Sequence, residues 1–275
     1  MKNSLVFIVS HGSSASTAVS TICNMSENGM FFSENAPKLC PEARDMYEGR
    51  INNPRQIIID QKSNLVKLQQ DTNKIIGDKS ANYLLFVESL VELWDAKIIF
   101  LIKDPIKVIP TGIHASKYNS KIGRGVYFGS AEDLDESKIT SKEDWWDYSR
   151  FRPKNNEEDQ HIFQNWKKMP QLEKASWNWN RYNGILKEKY DLLPNDNKIL
   201  INTTNLMVED VERVYDFTKL KGFDRKAIMD KLNSKLNSYA SRTDNNKDRF
   251  ILNDIHKETI LKYTKSTAEA FGLNY

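Results

Sequence analysis

Leu5–Val19 reads LVFIVSHGSSASTAV. Its first part, Leu5–Val9, is a short apolar run rich in β-branched residues, the pattern of a buried strand. After His11 comes one glycine, then only Ser, Ala and Thr. A helix is expected from Ser14 to about Met25, with Ser13 or Ser14 as its N-cap. Small residues in such a turn let backbone N–H groups surround an anion, and the helix N-terminus adds its dipole. A phosphate loop of the NTPase type would read GxxxxGK[ST]. Gly12–Thr17 lacks the second glycine and the lysine, which argues against ordinary ATP or GTP hydrolysis.

Outward from this turn, strands and helices alternate. Lys97–Ile102 (KIIFLI) is the strongest strand, apolar throughout as a strand covered on both faces must be. Asp104-Pro105 starts a helix with proline in its first turn, running toward Tyr118. Gln56–Asp60 (QIIID) reads as a second strand or as the approach to a helix starting at Asp60. Lys74–Gly77 is a weak strand, Asn82–Trp94 a buried helix, and Lys198–Ile201 a last clear strand. Helical periodicity also marks His161–Met169, Gln171–Leu192, Glu209–Leu220 and a closing helix ending at Phe271-Gly272. Between Asn119 and about Gln160 no period holds, which suggests a lid or substrate loop. The whole, residues 1–275, is expected to be a single α/β domain: a P-loop-type parallel β-sheet flanked by helices on both faces.

Composition narrows the function classes. Hydrophobic residues make up 39% and charged residues 28%, ordinary for a globular chain. The net charge of +3 is small and its signs are interspersed, so nothing demands nucleic acid. Cys23 and Cys40 match neither a metal spacing nor a disulfide framework, which suggests a reduced, cytoplasmic setting without a metal. The opening apolar run is too short for a signal peptide, and no stretch nears the roughly 20 apolar residues of a membrane span.

In parallel sheets of this kind ligands bind beyond the carboxyl ends of the strands. Three segments that leave a strand and enter a helix there are expected to converge: Ser10–Thr17, Gly77–Tyr83 and Lys103–Thr111. Lys79 and Lys103 would emerge at strand ends, and a cation with a nearby hydroxyl such as Thr111 suits a phosphate.

Together these segments resemble the sulfotransferases that use 3′-phosphoadenosine 5′-phosphosulfate (PAPS). In that family the first strand leads into a P-[RK]-S-G-T-T loop that holds the 5′-phosphosulfate. Gly12, Ser13, Ser14, Ala15, Ser16 and Thr17 fall on it. Asp78-Lys79-Ser80-Ala81-Asn82-Tyr83 resembles the family's D/E-K-S/T-P-x-Y element, and Asp95–Pro105 resembles its DAKIIxLxRDP. The Arg and Ser that bind the 3′-phosphate fall on Lys103 and Thr111. Trp177–Lys187 resembles the family's Trp-bearing helix, Thr203-Thr204-Asn205-Leu206 a degraded YEDL, and Leu261–Tyr275 the closing helix with its FGLxY end. The resemblance spans most of the chain outside 119–160.

The resemblance implies a PAPS-dependent transfer of a sulfuryl group to a hydroxyl of a carbohydrate, lipid or small molecule, with adenosine 3′,5′-bisphosphate (PAP) as product. The chain departs from the pattern at Ser13, which replaces a catalytic Arg or Lys; such electrostatic stabilisation is often worth a few kcal/mol. Lys79 is the substitute cation. The Arg-to-Lys change at Lys103 keeps charge and loses the bidentate fork. The family's base, a Glu downstream of the loop cation in the tyrosylprotein and heparan sulfate subfamilies, falls on Glu34. His11 and His114 are the alternatives. Trp145 and Trp146 could form an acceptor platform, and Ser238, Ser241 and Arg242 lie where the family closes a loop over the 3′-phosphate. Two rivals stay open: a nucleotide- or carbohydrate-binding protein on this fold that has lost transfer activity, and a divergent small-molecule kinase.

Overall fold

The computed structural model describes residues 5–12, 14–36, 38–119, 149–234 and 251–275. The chain divides into two compact units: Met1–Leu39, Asn52–Lys103 and Glu188–Asp244 form the first, and Cys40–Ile51, Asp104–Lys187 and Asn245–Tyr275 the second.

The first unit is built on five parallel strands: β1 (Leu5–Ser10), β2 (Gly29–Ser33), β3 (Ile75–Lys79), β4 (Lys97–Ile102) and β5 (Lys198–Asn202). Their spatial order is β2-β3-β1-β4-β5. The first strand of the chain is therefore the central one, paired at Leu5 with Ile76 and at Val6 with Lys97. All six residues of β1 are buried, as a strand covered on both faces requires.

Side chains alternate between the two faces. Val6, Ile8, Ile99, Leu101 and Ile201 share a core with Val19 and Ile22 of α1 (Ser16–Cys23). Val208, Val211 and Val214 of α6 and Ile228 of α7 complete that core, where α6 is Val208–Thr218 and α7 Arg225–Asn233. On the other face Phe7 meets Tyr83 edge-on at 4.9 Å and stacks on Trp94 at 6.5 Å. That face is covered by α3 (Pro54–Thr72), a tight helical turn Ala81–Phe86 and α4 (Val87–Trp94). The α/β architecture expected from the alternating pattern is the one observed.

Gln56–Asp60 is not a strand. Asn53 accepts from the Gln56 N–H, Pro54 opens the helix, and Asn73 closes it in the left-handed region. Its buried residues Ile58, Lys62, Leu65 and Gln69 form a helical stripe. Two of these are polar, and their presence broke the apolar periodicity. Strand β2 was also not expected, because GMFFS is short and lies at the sheet edge. It approaches β3 closely: Phe31 pairs with Gly77, where a Cβ would lie 2.1 Å from a Phe31 ring carbon. Helix α1 is shorter than expected and follows Ala15 rather than Ser13 or Ser14.

Among its described residues the second unit is mainly helical, with α2 (Cys40–Glu48), α5 (Pro105–Asn119), most of the helix Gln171–Leu192 and the closing helix Asp254–Ala270. Its interior is aromatic. Tyr47 stacks on Phe151 at 4.3 Å, Phe151 stacks on Tyr182 at 5.6 Å, and Trp166 meets Trp177 edge-on at 5.4 Å. Trp177 and Trp179 are buried. Tyr263 donates to Glu173, and Thr267 to Asn180, across the two long helices.

Candidate functional site

The carboxyl edge of the sheet carries, in the first unit, the turns after β1, β2, β3 and β5, and Lys103 directly after β4. The turn after β1 is held by backbone and hydroxyl groups. Ser14 is buried, and its carbonyl accepts from Thr203 Oγ1 at 3.1 Å. The Thr203 N–H in turn donates to the Ile102 carbonyl at the end of β4, at 2.8 Å. Ala15 sits in the left-handed region at φ 62°, and its carbonyl accepts from Val19 N–H at 3.1 Å, the first helical bond of α1. A non-glycine residue there costs about 1–2 kcal/mol, so the surrounding bonds must hold it.

No side chain caps α1 and no acidic residue stands in its first turn. The leading N–H groups of a helix have no intrahelical acceptors, and a negative charge is favoured beside them. A Cβ placed on Gly12 would meet nothing within 4 Å, so the backbone there is open to approach. His11 Nδ1 lies 3.0 Å from the Gly12 carbonyl. In a neutral ring that bond puts the proton on Nδ1 and leaves Nε2 an acceptor.

The second corner joins β2 and β3. Ser33 and Ile8 both lie beside Lys79 in the register. The Glu34 N–H donates to the Lys79 carbonyl at 3.0 Å, and the Ser80 N–H to the Ile8 carbonyl at 3.2 Å. Glu34 and Lys79 thus stand on hydrogen-bonded backbones. Glu34 is left-handed at φ 56°, and its carboxylate lies 3.4 Å from Lys38 Nζ.

Beneath them is a buried ionic network. Asp78 is fully buried. It accepts from the Asn35 N–H at 3.0 and 3.1 Å, from the Lys79 N–H at 2.9 Å and from the Tyr83 hydroxyl at 2.5 Å. Lys62, 1% exposed, places Nζ 3.7 Å from Asp78 and donates to the Asn35 carbonyl at 2.6 Å. Burial raises the Asp78 pKa, opposed by the Tyr83 hydrogen bond, the Lys62 charge and the two N–H donors. Burial and then the Asp78 charge push the Tyr83 phenol well up, so it keeps its proton and donates.

Sequence reasoning included Asp78 and Tyr83 only within a matched motif and did not single out Lys62. The available signal was a lysine on the stripe Ile58–Leu65, visible once Pro54–Thr72 is read as a helix.

Of the other expected site residues, Lys103 is half-buried at the end of β4. In the second unit Asp104 caps α5 by accepting from Ile106 N–H at 2.8 Å and from the Tyr275 hydroxyl at 2.9 Å. Thr111 Oγ1 donates to the Lys107 carbonyl at 3.1 Å, so as placed its proton is directed within its own helix. Ser13, Trp145, Trp146, Ser238, Ser241, Arg242 and the side chain of His114 lie outside the described residues. Among the described residues no cluster of His, Cys, Asp or Glu could hold a metal, and no helix is long and apolar enough to cross a membrane. Cys23 and Cys40 are buried and not joined in a disulfide, and burial pushes the Cys23 thiol up to about 12.

No protein-family model matches the sequence, and no curated protein matches it. Solved structures do match in fold. A sulfotransferase from Alicyclobacillus acidocaldarius superposes with a TM-score of 0.52 at 10% identity, covering 100% of this chain and 97% of its own. A sulfotransferase from Mycobacterium avium gives 0.50 at 10% identity, covering 100% of this chain and 78% of its own. This chain has a sulfotransferase-like fold. In such a fold the turn after β1 and the corner at Lys79 both lie on the carboxyl edge, where α/β sheets bind ligands.

Proposed function

We propose that this chain is a sulfotransferase that moves the sulfuryl group of PAPS to a hydroxyl acceptor. One observation carries the reading. On a sulfotransferase-like sheet, an uncapped small-residue turn suited to an anion stands two strands from Glu34 and one from Lys79, a carboxylate and a cation on hydrogen-bonded backbones. In this reading Gly12, Ser13, Ser14, Ala15, Ser16 and Thr17 receive the 5′-phosphosulfate through backbone N–H groups and hydroxyls. Lys103 and Thr111 take the 3′-phosphate, for which the Thr111 hydroxyl must turn from the Lys107 carbonyl.

Glu34 accepts the proton of the acceptor hydroxyl as its oxygen attacks sulfur. The bond from sulfur to the bridging phosphate oxygen breaks, and PAP leaves with the electron pair. Lys79 stabilises the charge that develops on that oxygen, replacing the loop cation that Ser13 does not supply. His11 is the second candidate base. Trp145, Trp146 and His114 belong to the acceptor side. The acceptor class is a carbohydrate, lipid or small-molecule hydroxyl, and the setting a reduced, cytoplasmic one.

The test is a thermal shift of the purified protein with PAP, for wild type and Lys79→Ala. A ligand at a hundredfold excess over its Kd stabilises the native state by about 2.7 kcal/mol. A shift weakened in Lys79→Ala, together with transfer of labelled sulfate from PAPS to a hydroxyl, is the expected result. A shift only with ATP and Mg²⁺ would overturn the proposal in favour of a kinase. Binding of PAP without any transfer would overturn the catalytic part and leave a nucleotide-binding protein.

A further inference from the structure

We infer that the buried Lys62–Asp78 pair positions the Glu34 carboxylate by gripping the Asn35 residue at both ends. This rests on the assignment of Glu34 as the base under Proposed function. The geometry is specific. Asp78 takes the Asn35 N–H and Lys62 takes the Asn35 carbonyl, so neither end of that residue can turn without breaking a charge-assisted bond. Asp78 also takes the Lys79 N–H, and the Lys79 carbonyl takes the Glu34 N–H. The two proposed catalytic side chains are therefore fixed relative to one another through one carboxylate.

Stability alone does not account for the pair. An ion pair buried this deeply is often replaceable by apolar residues at no loss of stability. Lys62 lies on a stripe with Ile58 and Leu65, where an apolar residue would pack. What the ion pair supplies is direction. Glu34 is left-handed, a conformation a non-glycine residue abandons unless its neighbours hold it. Without the grip on Asn35 the turn relaxes and the carboxylate swings from the reacting hydroxyl, while the PAPS turn after β1 is untouched. Lys62 and Asp78 are positioning residues, since they act through Glu34.

The experiment is a rate cycle on wild type, Lys62→Met, Glu34→Gln and the double variant, with PAP affinity measured beside it. Lys62→Met should lower kcat at least tenfold, leave PAP affinity within twofold, and have no further effect in the Glu34→Gln background. Equal losses in both backgrounds, or a parallel loss of PAP affinity, would overturn the inference in favour of a purely structural role. If Lys62→Met does not fold, the neutral pair Lys62→Met with Asp78→Asn replaces it in the same cycle, with the same readings. Glu34→Gln as active as wild type would overturn the base assignment and this inference with it.

Amide hydrogen exchange separates these failures from that of the transfer reaction itself. Asn35 and Glu34 should exchange at least tenfold faster in Lys62→Met, with β1 amides unchanged. That result supports the grip even for a protein that moves no sulfate, and unchanged exchange at Asn35 overturns it.

Discussion

The turns after β1 and after β2 leave the same edge of the sheet with β3 and its Lys79 in view, and each contains a non-glycine residue in the left-handed region, Ala15 and Glu34. They are held in opposite ways. Ala15 is kept by uncharged bonds: the Thr203 hydroxyl on the Ser14 carbonyl and the first turn of α1. Glu34 is kept by charges taken out of water, Asp78 and Lys62, on the residue that follows it. An uncharged tether yields locally when cut. A buried charged tether leaves an unpaired ion behind, so cutting it costs far more than the contact was worth. The first turn thus takes its shape from small residues and uncharged bonds, and the second from desolvated charge.

The largest effect that bears on this contrast is on catalysis. Lys79→Ala should lower turnover about 100- to 1,000-fold, the cost of removing one preorganised stabilising group, measured as sulfate transfer from PAPS at saturating acceptor. A loss below tenfold would move the essential cation elsewhere and weaken the case for the second corner as the reacting one. Next comes stability. Asp78→Ala should destabilise by about 3–5 kcal/mol in urea unfolding, because it removes the counter-charge 3.7 Å from the buried Lys62 ammonium, whereas the joint Lys62→Met, Asp78→Asn change should cost much less. Equal costs for the two would remove the charge argument and make the two turns alike.

Thr203→Val tests the other side. It deletes the hydroxyl bond to Ser14 and should cost about 1 kcal/mol, with a measurable fall in PAP affinity and none in Asn35 exchange. The smallest effect is a slope. Burial raises the Asp78 pKa above its usual value near 3.8, so between these two values the folded state holds more protons than the unfolded one. That contribution to stability is fully present below the usual value and is lost as pH rises through the raised one. Urea midpoints measured from that usual value upward should show this component in wild type, and the neutral pair should lack it.

The same contrast decides what was legible in the sequence. The turn after β1 is local: strand, small residues and helix follow one another in Leu5–Val19, and the fold class followed from that order and from KIIFLI. The residues of the second corner are scattered. Lys62 lies 27 positions from Asn35, and Asp78 lies 43 from it. Nothing in a linear reading marks a lysine as buried when the start of its helix is left open between a strand at Gln56–Asp60 and a helix from Asp60. The place of Lys79 at a strand end was legible from the local pattern, Glu34 was singled out only through the family resemblance, and β2 was hidden by its shortness at the edge. Buried polar residues erase the periodicity that would otherwise reveal their helix, and here they are the residues that hold the corner together.

The place of β1 has a consequence for synthesis. This strand lies at the centre of the sheet, yet its partners at Ile76 and Lys97 come much later in the chain. At ribosomal rates of about 5–20 residues per second, LVFIVS waits several seconds with both edges open. It carries no charge and no proline, two of the features that protect an exposed strand from pairing with another chain. Slower translation between β1 and β4 should therefore raise the insoluble fraction, and a chaperone that covers apolar segments during synthesis should lower it.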